Sequence, residues 1–187
     1  MRRIASVLAL GALLAAALYQ PTAHAEEIEV RDVALRSVEE GLALDVDFAF
    51  ELTPRLADVV SNGVPLYFRV DFELTRRRWY WFDDTAAAQR LELRLSYHAL
   101  SRQYRLSAGA LQQSFPTLEE ALQVLRRVRN WLVVERGAAL ANADYEAAVR
   151  MRLDTALLPK PFQLSALTGR DLQLESPWKR FIVRPAP

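Results

Sequence analysis

Apolar and polar residues trade places one by one through four separate stretches of this chain. Leu42, Leu44, Val46, Phe48, Phe50 and Leu52 occupy alternate positions, with Asp45, Asp47 and Glu51 between them. Leu66, Phe68, Val70, Phe72 and Leu74 repeat the pattern around Arg69, Asp71 and Glu73, and Leu91, Leu93, Leu95 and Tyr97 around Glu92, Arg94 and Ser96. Tyr145, Ala147, Val149, Met151 and Leu153 form the fourth set. Period-two spacing sends successive side chains to opposite faces, so each stretch reads as a strand with one dry and one wet face. That half-wet character belongs to antiparallel pairing. Weaker strand signals lie at 28–38, 103–108, 110–115, 131–136, 170–175 and 178–183. A sheet with one apolar face must cover it, so the expected fold is mainly β. It is an antiparallel two-sheet sandwich, immunoglobulin-like in general architecture.

Two segments leave the alternation. Thr53-Pro54 supplies a cap and a proline at the first helical position, and Gly63 a stop, for a short helix near 54–62. Thr117-Leu118-Glu119-Glu120 is a capping box, after which Leu118, Ala121, Leu122, Leu125 and Val128 recur at helical spacing, predicting a longer helix over 117–130. Turns are expected at Glu40-Gly41, Asp83-Asp84, Ala99-Leu100-Ser101, Ala108-Gly109 and Asn142. Leu158-Pro159-Lys160-Pro161-Phe162 reads as an extended crossing segment before a last hairpin. No repeat or linker interrupts residues 26–187, which read as one domain. A membrane barrel would also alternate, but it has no place for a capped helix, and the chain closes on Pro185-Ala186-Pro187 rather than an aromatic strand.

The first twenty-five residues read as a Sec-type signal peptide cleaved after Ala25. Arg2 and Arg3 precede an apolar run from Ile4 to Leu18, Pro21 breaks it, and Ala23-His24-Ala25 offers small residues where a signal peptidase reads. As a helix the run would span about 22 Å, short of a bilayer core of about 30 Å. A periplasmic location follows as the expectation. Loss of Arg2 and Arg3 takes the 24 basic residues just below the 23 acidic ones. That balance argues against nucleic-acid binding, which needs concentrated positive charge. The chain has no cysteine, so its core must hold the fold without disulfides.

Three stretches carry a resemblance. They are Gly63-Val64-Pro65-Leu66-Tyr67-Phe68 leading to Arg78-Trp79-Tyr80-Trp81-Phe82; Leu95-Ser96-Tyr97-His98 followed by Arg102-Gln103-Tyr104-Arg105-Leu106; and Leu153-Asp154-Thr155 followed by Leu158-Pro159-Lys160-Pro161-Phe162-Gln163. In order and spacing the chain resembles an uncharacterised family of exported proteobacterial proteins, labelled proline-rich signal-peptide proteins and holding a domain of unknown function. The resemblance implies an exported protein of about this size, with no assigned activity and no catalytic residues to carry over. It also brings a genomic association with membrane sensor kinases of the nitrogen-regulation type.

The candidate chemistry is thin. His98 is the one histidine beyond residue 25, and Ser96 shares its face, but strand neighbours two apart stand side by side, about 6–7 Å apart at Cα. That is no triad geometry. With no cysteine and one histidine, zinc, copper and haem lack their preferred ligands. Asp45 with Asp47, or Asp83 with Asp84, lack calcium-loop spacing; the first pair reads as a solvated strand face opposite Arg69, the second as a turn. No catalytic residue, metal or cofactor is expected. The most unusual run is Arg76-Arg77-Arg78-Trp79-Tyr80-Trp81-Phe82, where cations adjoin aromatics that could stack on a partner. Together with Pro159, Pro161 and Phe162, residues Arg76, Arg77, Arg78, Trp79 and Trp81 form the expected partner-contact surface. The expected function is a non-enzymatic protein-interaction module in the periplasm, partnering a membrane sensor kinase or an envelope complex. The competing expectation is an envelope hydrolase or carbohydrate-binding protein that uses two unidentified carboxylates.

Overall fold

The structure, a computed structural model, describes residues 27–76, 84–137, 144–168 and 170–183. The chain builds two antiparallel sheets. β1 (Glu29–Val38), β2 (Gly41–Ala49) and β7 (Arg127–Glu135) form the smaller, in the order β1-β2-β7. β3 (Leu66–Arg76), β4 (Asp84–His98), β5 (Gln103–Ala108), β6 (Leu111–Phe115), β8 (Tyr145–Leu153) and β9 (Lys179–Val183) form the larger, in the order β6-β5-β4-β3-β8-β9. The larger sheet is open, with β6 and β9 at its edges. Three helices complete the described residues: α1 (Pro54–Ser61), α2 (Leu118–Leu125) and α3 (Lys160–Thr168).

The alternation does what it must. Leu66, Phe68, Val70, Phe72 and Leu74 are fully buried on one face of β3, and Val149, Met151 and Leu153 extend that face across β8. Leu44, Val46 and Phe48 answer from β2. The sheets meet through rings: Phe72 of β3 sets its edge against Trp131 of β7 at 6.4 Å, and Phe50, just past β2, stacks on Phe68 at 5.6 Å. α1 caps as its sequence demands. Thr53 Oγ1 accepts from the Leu56 amide at 3.1 Å, and Leu56, Val59 and Val60 are buried.

Three sequence expectations are corrected. The helix expected over 117–130 ends at Leu125, because Val128 pairs with Val46 and residues from Arg127 on belong to β7. The extended reading of 158–163 gives way to α3, in which Pro161 sits in the first turn, where its missing N–H costs nothing. Residues 170–175 do not form a strand: Arg170–Leu172 is a 3-10 turn and only Glu175 bridges to Arg152. β4 is also much longer than the expected 91–97, because residues 84–90 pair with the far half of β3.

Asp45 shows how the small sheet bends. Its Oδ1 accepts from the Asn130 amide at 2.7 Å, at a point where Asn130 adopts φ 51° and the β2–β7 register slips. Its Oδ2 accepts from Arg36 Nε at 2.9 Å. The Asn130 amide above all, with Arg36 behind it, holds the Asp45 carboxyl below its ordinary value of 3.8. A depressed carboxylate stabilises the fold above its unfolded value and loses that contribution as pH falls through the lowered one. Asp45→Ala should therefore cost about 1 kcal/mol at pH 7. Denaturant midpoints compared at pH 7 and pH 3 should show that deficit shrinking in acid; an unchanged deficit would contradict the assignment.

Candidate functional site

A three-stranded sheet cannot cover a six-stranded one. Strands lie about 4.8 Å apart, so the β4-β5-β6 wing projects past the edge of β7. The inner face of that wing is laid out by register. Leu93, Ala108 and Leu111 lie opposite one another in one row, and Leu95, Leu106 and Gln113 in the next. α2 carries the chain from β6 across to β7 and closes one end with Val124 and Leu125. β7 contributes Val128 and Trp131 as the opposite wall.

The result is a cleft of about 440 Å³ between the sheets, floored by Leu91, Leu93, Leu106 and Ala108. Its mouth exposes two oily side chains: Leu111 is 76% and Val124 39% exposed. The charged residues that line it are both cations, Arg127 and Arg129. Arg129 is tied to Asp47 and to the Val46 and Val128 carbonyls, whereas Arg127 has no partner among the described residues. Because β7 closes the order β1-β2-β7, one side of its backbone has no strand partner among the described residues. An apolar floor beside a free strand edge is the geometry that accepts an added strand. Among the described residues, no carboxylate, hydroxyl or imidazole lines the cleft.

The residues singled out in the sequence fall elsewhere. Arg76 ends β3, half-buried and opposite Asp84 and Tyr145. Arg77, Arg78, Trp79, Trp81 and Asp83 lie outside the described residues. Pro159 and Pro161 are exposed at the start of α3, while Phe162 is half-buried and packs against the core. His98 Nδ1 faces Ser101 Oγ at 2.9 Å and the Ser101 amide at 3.3 Å, which ties it to the β4–β5 turn and not to Ser96. Asp45 and Asp47 pair with Arg36 and Arg129, not with Arg69, whose partners are Asp154 and Glu92. Among the described residues no three acidic or histidine side chains gather as metal ligands, and no helix is long and apolar enough to cross a membrane.

One hollow does collect acids. Glu27, Glu29 and Glu51 line it with Phe48, Phe50 and Arg126. All three carboxylates are exposed, and Glu29 lies 3.5 Å from Arg31. Glycoside hydrolysis needs two carboxyl groups held at a fixed separation across the bond to be cut; three solvated side chains on open rims do not provide that.

Residues 25–182 match the model of a family described as a domain of unknown function, DUF4390, and the chain belongs to that family. No curated protein and no solved structure matches it.

Proposed function

We propose that this DUF4390 protein is exported and works in the periplasm as a non-enzymatic protein-interaction module, taking an extended segment of a partner into the cleft between its sheets. The observation that carries the reading is the free edge of β7 running beside an apolar floor, with Leu111 and Val124 exposed at the mouth. Backbone groups along that edge supply affinity, and the pockets for alternate side chains supply specificity. Arg127 and Arg129 at the rim favour acidic flanks on the incoming segment. Export rests on Arg2, Arg3, the Ile4–Leu18 run and Ala23-His24-Ala25. The extracytoplasmic part of a membrane sensor kinase, or an envelope complex, is the partner that the family resemblance nominates.

A photoreactive residue at position 124, introduced in cells, should yield one reproducible adduct with an envelope protein. Leu111→Glu should weaken that adduct about 10- to 30-fold, since a buried leucine contributes about 2 kcal/mol. Because Leu111 is already exposed, thermal unfolding should stay unchanged. Absence of an adduct, or an adduct indifferent to Leu111→Glu, would overturn the proposal.

A further inference from the structure

The opposite face of the larger sheet carries a second feature, independent of the cleft. Asp71, at the centre of β3, points away from the core and is nevertheless only 8% exposed. Arginines cover it. Register sets Arg90 of β4 and Arg150 of β8 directly opposite. Arg90 Nε donates to Asp71 Oδ1 at 3.3 Å and Arg150 Nε to Oδ2 at 3.2 Å, and Arg152 Nε lies 3.3 Å from Oδ2. Of the other acids near it, Asp154 is taken by Arg69, and Glu92 leans on the same arginine at 3.9 Å. Three cations thus share one carboxylate.

The manner of sharing matters. Each guanidinium turns its Nε edge inward, and among the described residues the terminal Nη groups of Arg90, Arg150 and Arg152 meet no acceptor. Arg150 is further fixed by stacking over the Trp178 ring at 4.4 Å. Arg150 and Arg152 are half-buried and Arg90 is exposed; oriented guanidinium forks that keep their outer donors free suit a tetrahedral oxyanion, which takes paired N–H bonds in that geometry. Asp71 is then the buttress that aims them.

We propose that Arg90, Arg150 and Arg152, oriented by Asp71, form a binding site for a phosphate-type oxyanion on the exposed face of the large sheet. The source is either a free phosphate or phosphate ester, or the headgroup of an anionic phospholipid; the recognising chemistry is the same. Inorganic phosphate titrated into the purified protein should raise its unfolding temperature saturably, beyond chloride at matched ionic strength. Arg90→Gln and Arg150→Gln should each weaken phosphate at least tenfold. Arg127→Gln, at the rim of the cleft, should leave it unchanged. Asp71→Asn should lower the unfolding temperature, and phosphate but not chloride should restore it. Binding to phosphatidylglycerol vesicles that free phosphate displaces would assign the site to a headgroup; phosphate binding without vesicle binding would assign it to a soluble ligand. Equal responses to phosphate and chloride in the parent protein, or no loss in either glutamine variant, would overturn the proposal. Failure of the photo-adduct at position 124 would leave it standing.

Discussion

Replacing Phe68 by alanine should lower the free energy of unfolding by about 4 kcal/mol and the melting temperature by about 8–16 °C. Phe68 is fully buried near the start of β3, between Leu93 of β4 and Leu153 of β8, and its ring stacks on Phe50, just past β2 of the smaller sheet. Removing it deletes transfer energy, empties a volume that two sheets cannot both close upon, and strips Phe50 of its partner. The same truncation at Ile182, 51% exposed on β9, should change stability by no more than about 0.5 kcal/mol. Urea unfolding of the two variants separates the cases; similar losses at both would mean that the inter-sheet core is not where the structure puts it.

Gly41→Ala should cost about 3 kcal/mol, without removing any contact. Gly41 opens β2 at φ 145°, a backbone region that side chains avoid. A Cβ there would press into the Val134 carbonyl oxygen and stand 2.9 Å from the Arg136 amide nitrogen, so the obstruction is backbone on both counts. Backbone cannot swing aside as a flexible side chain can, and β7 would have to part from β2 at that end. Gly109→Ala meets nothing within 4 Å and has only its φ of 56° to resist, so it should cost about 1 kcal/mol. A Gly41 variant as stable as the Gly109 one would remove the close approach of β7 to the β1–β2 turn.

Much of the fold was legible because alternation states a physical requirement directly. A residue that faces the core every second position is satisfied by extended chain, and 66–74, 91–97 and 145–153 are strands accordingly, as is 42–49 of the alternating run that continues to Leu52. The failures came where two periods fit the same letters. Val128 continues the helical spacing of Leu118, Ala121, Leu122 and Leu125, yet Arg127-Val128-Arg129 also alternates, and pairing with Val46 decided for the strand. Pro159 and Pro161 suggested an extended crossing, yet a proline also fits the first turn of a helix, and residues 160–168 form one with Phe162 packed on the core. The cleft was not legible at all. Leu106, Leu111 and Val124 are unremarkable as letters, and their shared opening depends on three strands lying over six, which no local pattern encodes. Asp71 was rightly placed on the outer face, but its burial under Arg90, Arg150 and Arg152 required the register of β3 with β4 and β8.

The cysteine-free chain offers a clean test of whether the inter-sheet opening is the contact surface. Leu111→Cys sits at its mouth, and Leu100→Cys, 94% exposed in the β4–β5 turn, serves as reference. With a small thiol reagent, both positions should react rapidly in the purified protein. In the intact envelope the position-111 thiol should become at least tenfold slower while position 100 keeps its rate. Equal labelling of the two in the envelope would mean that nothing occupies the cleft where the protein works.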